Sequence, residues 1–474
     1  MTTELRNKLL SQSILAVSGV IFPIFTLPIV THAIGPSGLG KVIFTDSLVQ
    51  FLVVLASIGI PLYGIREVAN KRGSREDQSK IFCELFSLQF IFTIPAVILL
   101  WIIGYISHIE LNLLIIATIS MVGSCLTFEW FFQGNEAFFW IALRTIMVRA
   151  ITLLLIYLLI NNATDYALYY LLLAGSILLS MVLNFFFITK RISFSFYNLE
   201  LWKHLKNINW IYAGSILISV YTLLDTVLLG WLSSSQAVGY YSLGYKIVRL
   251  SSMLIISMGV VFIPRISFQY FSEDKLELKD QIQTSQHIIF FLALPLSLFF
   301  FVVAPEVVAL LGGKEFMPSV RVIKILSAIP LLISFSHFTG FQLLFPMKKE
   351  KKFFMFLAIG TLLNIALNLL LIPSYKETGA AISNLSAEAF ITISSSVYLI
   401  KNMHLLFSLK MFFYSLLSSS LIVPIAYLLR AMALSPLLLL IVATVTFGTG
   451  YLIIHLKLIG DPVIKKLFSS KLSL

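Results

Sequence analysis

The sequence predicts an all-α, polytopic membrane protein of about 14 transmembrane helices. It is expected to hold two six-helix lobes in pseudo-twofold repeat, followed by two extra C-terminal helices. Three observations carry this expectation. Hydrophobic residues form 58% and charged residues only 12% of the 474 positions, against roughly 45–50% and 25% in soluble domains. Mean hydropathy is +0.95. No polar gap exceeds about 22 residues, too short for a soluble domain. The apolar runs are continuous and not alternating, which argues against a β-barrel.

In order, the predicted spans are 10–31, 42–65, 81–107, 111–133, 138–160, 166–188, 208–231, 238–263, 286–311, 320–345, 353–373, 378–400, 411–430 and 437–456. Each is close to the roughly 20 residues that cross a bilayer. The basic start MTTELRNK leads into the first run with no small-x-small site at its end, so this run reads as an uncleaved spanning helix. Cys83 and Cys125 lie inside apolar runs, form no metal spacing, and read as small buried residues.

Lys and Arg set the expected orientation. With both termini inside, inner loops and ends hold 24 of the 34 basic residues. Outer loops hold Lys41, Lys314, Arg321, Lys376 and Arg430, and the spans hold Arg144, Arg149, Lys246, Arg249 and Lys324. The net charge of +12 is then a topology signal with attraction to anionic lipid heads. It implies no nucleic-acid partner. The run Lys348-Lys349-Glu350-Lys351-Lys352 reads as a lipid-head anchor in an inner loop, and the 40 Phe as lipid-facing and core filling.

The stretch 208–264 is the most informative. Two apolar segments flank the turn Ser233–Ala237, yet the first carries Asp225 and the second Lys246 and Arg249. At 1.5 Å per residue Asp225 and Lys246 both lie roughly 12–14 Å from the turn, and Arg249 shares a helix face with Lys246. Charges at such depth cost at least about 2.5–3.5 kcal/mol each, so they face a cavity or a partner. Lys246 either contacts cargo or pairs with Asp225.

A weak internal repeat of about 200 residues relates GPSGLGKVIFTDSLVQ, whose helix ends at 59–61, to SSSQAVGYYSLGYKIVR, whose helix ends at 262–264. It suggests parallel repeats with a site between lobes. The expected organisation is an N-terminal lobe 1–188, a cytoplasmic linker 189–207, a C-terminal lobe 208–400, and extra helices with a basic tail 401–474. Pro23, Pro28, Pro95, Pro295, Pro330 and Gly340 fall within spans, where kinks suit hinges or ordinary membrane-helix irregularity.

Four strings together resemble a known family. LLDTVLLGWLSSSQAVGYYSLGYKI is similar to the seventh-to-eighth helix signature of polysaccharide (oligosaccharide) flippases of the Wzx type. These belong to the superfamily of MATE exporters and lipid II flippases. PIVTHAIGPSGLGKVIF resembles the family's first loop, EWFFQGNEAF its turn after the fourth helix, and LLNIALNLLLIPSYKETGAAISNLSAE its eleventh-to-twelfth helix segment. The resemblance spans roughly residues 10–400. One departure is Tyr375, followed by Lys376-Glu377-Thr378-Gly379 where the family often reads Tyr-Gly.

The resemblance implies transfer of an undecaprenyl-diphosphate-linked oligosaccharide from the cytoplasmic to the outer leaflet, for O-antigen, capsule or similar surface polysaccharide. It implies a location in the bacterial cytoplasmic (inner) membrane, alternating access through a cationic central cavity, and no ATP hydrolysis. Membrane lipids and the polysaccharide polymerase machinery are the other expected partners; no cofactor, metal or catalysis is expected. A MATE-like ion-coupled exporter is the alternative, disfavoured because basic residues repel cationic drugs. A polysaccharide polymerase or ligase is disfavoured by the lack of a large outer loop and of any nucleophile, metal or P-loop motif.

A diphosphate is bound best by charge-assisted hydrogen bonds. The candidate cargo contacts are therefore Arg249, Lys246, Arg149 and Arg144. Arg144 and Arg149 are about 140° apart on one helix and cannot both point squarely into one cavity. One of them is expected to pair with Glu129 or Glu136, and Arg149 is the deeper. Asp225, Glu388 and Glu129 are candidates for ion pairing or coupling. Glu388 and Asn384, like Asn364 and Asn368, are one turn apart and suit a polar helix–helix seam or a cation site. His337 reads as a packing or titrating residue, and Asp46 as a helix cap or exposed residue.

Overall fold

The computed structural model describes residues 3–272, 275–403 and 407–459. Its helices divide into two compact units, residues 1–239 and 240–474, and no strand occurs among the described residues. The basic tail expected beyond residue 459 lies outside them.

The first unit holds α1 (Thr3–Ser57), α2 (Ile60–Asn70), α3 (Arg75–Ile106), α4 (Leu111–Cys125), α5 (Glu129–Gly134), α6 (Phe138–Leu159), α7 (Tyr166–Thr189) and α8 (Leu201–Leu232). Helix α9 (Ser235–Val260) leads into the second unit. There follow α10 (Phe262–Phe271), α11 (Lys275–Leu311), α12 (Ser319–Leu326), α13 (Ile329–His337), α14 (Glu350–Met403), α15 (Leu409–Ser419), α16 (Ile422–Ala431) and α17 (Pro436–Ile453).

Eleven helices among the described residues are long and apolar enough to cross a membrane. Two exceed one crossing. Helix α14 has 54 residues, roughly 80 Å at helical rise, and breaks at Lys376 (φ 48°, ψ −127°). Close approach of Gly379 to Leu371 and of Gly360 to Ile391 makes it an antiparallel hairpin. Helix α1 has 55 residues and breaks at Gly35 (φ 64°), a conformation glycine adopts without penalty. Thus α1 and α14 each carry two of the expected spans. The expected 208–231 span falls in α8, where Ser219–Leu232 is a shorter apolar helix.

In the first unit α1 packs on α6, α8, α4 and α3, while α4 pairs with α7 and α2 with α5. The α2–α5 approach is close because Gly64 lies under the Trp130 indole and Gly134 under Val68. Around it Tyr63, Phe82, Phe128, Phe131 and Phe132 form a buried aromatic cluster, with Phe82 and Phe131 edge to face at 5.5 Å. In the second unit α11 is central, packed by α10, α12, α13, α15, α16 and α17. Arg430 of α16 ties to α11 through both oxygens of Glu306, at 2.7 and 3.0 Å.

The repeated sequence pattern has a counterpart in the helices. After α1 ends at Ser57, a left-handed Gly59 caps the short α2 and Pro61 lies in its first turn. At 262–264 the long α9 gives way to the short α10. Pro23, Pro28, Pro95 and Pro295 lie inside helices. Pro330 instead starts α13, where a missing N–H costs nothing. Gly340 lies in a π-helical turn, Phe338–Leu344.

Where the family often has glycine, exposed Lys376 occupies positive φ. Such a conformation costs a non-glycine residue on the order of 1–3 kcal/mol, partly offset by glycine's larger entropy loss on folding. Lys376→Gly is expected to raise the melting temperature of the detergent-solubilised protein by a few degrees; a lower value would show that the turn carries no strain.

Candidate functional site

The basic residues expected inside the spans have different environments. Arg144, on α6, is buried, with its side chain only 2% exposed, and forms an ion pair through Nη2 with Glu129 at the start of α5. Nη2 also donates to Thr145 Oγ1 at 3.1 Å. Its Nε and Nη1 meet no acceptor among the described residues. Arg72 takes the other acid considered, Glu136, at 2.8 Å.

Five residues further along α6, Arg149 faces α1. Its Nη1 donates to Ser18 Oγ at 2.5 Å, and no carboxylate pairs with it among the described residues. Arg149 and Ser18 border a 440 Å³ cleft whose accessible surface is almost wholly apolar, from Ile14, Val17, Ile21, Phe22 and Phe25 of α1 and Ile146 and Leu153 of α6. The 140° spacing thus directs Arg144 toward α5 and Arg149 toward α1. A guanidinium on an apolar wall can hold a phosphate while the wall takes hydrocarbon.

Asp225, on α8 in the first unit, is 2% exposed. Lys246 and Arg249 lie half-buried on α9 in the second unit. Arg249 Nη1 donates to Tyr245 Oη at 2.5 Å, and its guanidinium lies 5.5 Å from that ring. Glu388 and Asn384 are buried in the second arm of α14, Asn364 and Asn368 in the first. Asn368 Nδ2 donates to Asn364 Oδ1 at 3.1 Å. The hairpin register brings Asn364 level with Asn384 and Glu388, a polar seam inside the helix pair. His337 is half-buried and stacks on Phe341 at 5.0 Å. Asp46 is half-buried within α1, well inside the helix and not at its cap. Cys83 and Cys125 are buried and free.

Two polar groups escaped the sequence reading. At one, Glu110 accepts from Lys41 Nζ at 2.6 Å and from Tyr166 Oη at 2.6 Å. These bonds, Lys41 first, hold its carboxyl below the ordinary glutamate value. The other joins Tyr63, Glu84 and His204, from α2, α3 and α8. The signal for it was Glu84 lying inside the apolar run 81–107, which the emphasis on basic residues passed over.

Two outcomes test these networks. Arg144→Met and Glu129→Gln are expected to be strongly non-additive in detergent unfolding, with a coupling of about 1 kcal/mol or more; additive losses would mean that the pair is not formed. For Glu110 the folded pKa is depressed, so its stabilisation is present above the unfolded value of 4.5 and disappears as pH falls through the folded value. The melting-temperature gap between the native protein and Glu110→Gln should therefore close on acidification; a gap constant with pH would contradict this.

Residues 5–270 match the model of the polysaccharide biosynthesis protein family, and residues 211–370 match the MatE model. A "Putative O-antigen transporter" of Escherichia coli (strain K12) is 24% identical over 398 residues, covering 82% of this chain and 95% of the relative. A protein of the same description from Shigella dysenteriae is 23% identical over 382 residues, covering 79% and 94%. Among solved structures, the lipid II flippase MurJ in an inward closed conformation superposes with a TM-score of 0.71 at 15% identity, covering 95% of this chain and 100% of that one. An inward-facing multidrug resistance MATE family transporter gives 0.64 at 14% identity, covering 85% and 94%. These likenesses at low identity establish the shared fold. The chain is a multi-pass membrane protein that belongs to the polysaccharide biosynthesis protein family.

Proposed function

We propose that the protein translocates undecaprenyl-diphosphate-linked oligosaccharide units from the cytoplasmic to the outer leaflet of the bacterial inner membrane, for a surface polysaccharide such as O-antigen or capsule. The observation that carries the reading is Arg149 bordering the apolar cleft between α1 and α6, a cation beside apolar walls. This combination matches an amphiphile with a diphosphate head. Family membership and the relatives' descriptions support the same class of cargo.

The transport reading uses alternating access, with both termini in the cytoplasm, as the distribution of Lys and Arg favours. Two lobes, 1–188 and 208–400, move through the linker 189–207, with the extra helices 401–474 appended. Arg249, Lys246, Arg149 and Arg144 contact the phosphates and acidic sugars in turn. Asp225, Glu388 and Glu129 balance their charge or couple an ion. Transfer between leaflets makes and breaks no covalent bond, so no catalytic residue is invoked. The match to the MatE model supports a second reading, an ion-coupled small-molecule exporter. Unneutralised arginine disfavours cationic drugs as its cargo.

The test is complementation of a bacterium lacking its own flippase. Arg149→Ala and Arg249→Ala are each expected to lower surface polysaccharide at least tenfold while the protein remains in the membrane at normal level. Arg149→Lys, which keeps charge but loses the guanidinium fork, should fall between. Normal polysaccharide in both alanine variants would overturn the assignment, and drug resistance without polysaccharide export would favour the exporter.

A further inference from the structure

Between α7 and α8 the chain runs without helix or strand, yet it keeps to the surface of α3. The Ser193 N–H donates to Ser79 Oγ at 3.0 Å. The Ser195 backbone hydrogen-bonds the Cys83 thiol, and the Glu200 N–H donates to Glu84 Oε1 at 2.9 Å. Two residues of extended chain advance about 6.6 Å, and the turn of helix from Ser79 to Cys83 rises about 6 Å. Residues 193 and 195 can therefore meet successive turns of α3, with Phe194 and Phe196 interleaved between and after them.

The interleaved rings join two helices. Phe196 lies 6.1 Å from Phe86 of α3, which stacks on Phe90 at 6.2 Å. Phe194 is 6.5 Å from Phe196 and 5.8 Å from Phe185 of α7. The surface they form is open: Phe194, Phe196 and Tyr197 are 39%, 55% and 81% exposed, and Trp202, in the first turn of α8, 78%. Along α3 it continues one turn at a time through exposed Phe90, Ile94 and Ile98, an apolar row of the kind that faces lipid. Its depth follows from both helices. Phe86 is five residues inside the apolar run 81–107, about 7.5 Å from its start at helical rise. Phe185 is three residues from the end of the run 166–188. The rings of the connecting segment therefore lie at the edge of the hydrocarbon and not beyond it.

Two further conditions of such a place are met. Backbone N–H groups near hydrocarbon need partners from the protein, and Ser79, Cys83 and Glu84 supply three of them. Tyrosine and tryptophan favour the head-group level, where ring and polar tip are both satisfied. The charges agree. Residues 189–207 hold four basic side chains and one acid, Glu200, which Lys80 and Lys203 already bind at 3.1 and 3.4 Å. Lys190 and Arg191 are exposed and meet no carboxylate among the described residues. The Arg191 guanidinium lies 4.5 Å from the Phe187 ring centre, beside the same aromatic surface.

We propose that residues 193–197 are seated in the head-group boundary of the adjoining leaflet, with Phe194, Phe196 and Tyr197 against acyl chains and Lys190 and Arg191 on the phosphates of anionic lipids. The connection between α7 and α8 is then a lipid-binding surface and not a tether in water. This requires only that the chain crosses a membrane, and it holds for a flippase and an exporter alike.

The test places an environment-sensitive NBD label on Tyr197→Cys in the full chain, reconstituted in lipid nanodiscs. Tyr197 is so exposed that its loss removes little packing, and the native chain, whose Cys83 and Cys125 are buried, is the labelling blank. Glu76→Cys, at the exposed start of α3, is the water-facing reference. Lipids brominated on the upper acyl chain are expected to quench the label at 197 at least twofold, and aqueous iodide to quench it little, the reverse of the pattern at 76. At equal mole fraction, brominated phosphatidylglycerol should quench at least twice as strongly as brominated phosphatidylcholine. Lys190→Gln combined with Arg191→Gln should remove that preference. Iodide quenching at 197 equal to that at 76 would overturn the proposal, and so would quenching by neither agent, which would mean that protein covers the segment. Equal quenching by the two brominated lipids before the charges are changed would overturn the assignment of Lys190 and Arg191.

Discussion

A charge taken into a hydrocarbon-facing helix must bring its compensation with it, because no solvent dipoles are there to supply it. Much of the polar architecture follows from that constraint. Arg144 meets Glu129 across the α5–α6 turn. Arg430 and Glu306 fasten α16 to α11. Lys41, Glu110 and Tyr166 close one end of the first unit, and Tyr63, His204 and Glu84 join three helices elsewhere in it. Each network lies where a helix starts, ends or meets a loop, and each ties together elements that apolar contact alone would leave free to slide. Between such points the helices are held by dispersion and small-residue contacts such as Gly64 under Trp130.

The helices themselves were legible in the sequence, because a spanning segment needs little more than a long apolar run. Their packing was not. In water an apolar stripe marks the buried face of a helix, but in lipid both faces are apolar. Helix α3 buries Leu88 and Leu100 and exposes Phe90, Ile94, Ile98 and Trp101, residues of one chemical class, so periodicity says nothing about which side meets protein. The break at Gly35 falls in the gap expected between the spans 10–31 and 42–65, but the α1 chain runs on helically on either side of it where a loop was expected. At Lys376 the departure from the family's Tyr-Gly was visible, but not that lysine would take the positive-φ position itself.

The candidate site was legible to a similar degree. Charged residues stand out against an apolar background, so Arg144, Arg149, Lys246, Arg249, Asp225 and Glu388 could be singled out at once. Their partners could not, because partners come from distant sequence: Ser18 lies 131 residues from Arg149. A single helical spacing was enough to separate the two arginines of α6, since 140° cannot be accommodated on one face. The buried triad shows the opposite limit. Histidine at a helix entry and glutamate one turn into an apolar run are each unremarked alone, and only the fold brings them to 2.7 Å.

Compensation also ranks the basic residues as ligands for a phosphate. Arg144 already faces a carboxylate, so an arriving anion would have to compete with Glu129 or add a second negative charge beside it. Arg149 faces a hydroxyl, which accepts one hydrogen bond but leaves the positive charge in place. An anion entering the α1–α6 cleft would therefore meet at Arg149 a charge that no carboxylate pairs with directly, and the low polarity of the walls would lessen its screening. The same walls would repel a free phosphate, whose remaining oxygens would lose their water without replacement. A phosphate carried on a long hydrocarbon satisfies both conditions, because its tail gains from the apolar surface that its head must approach.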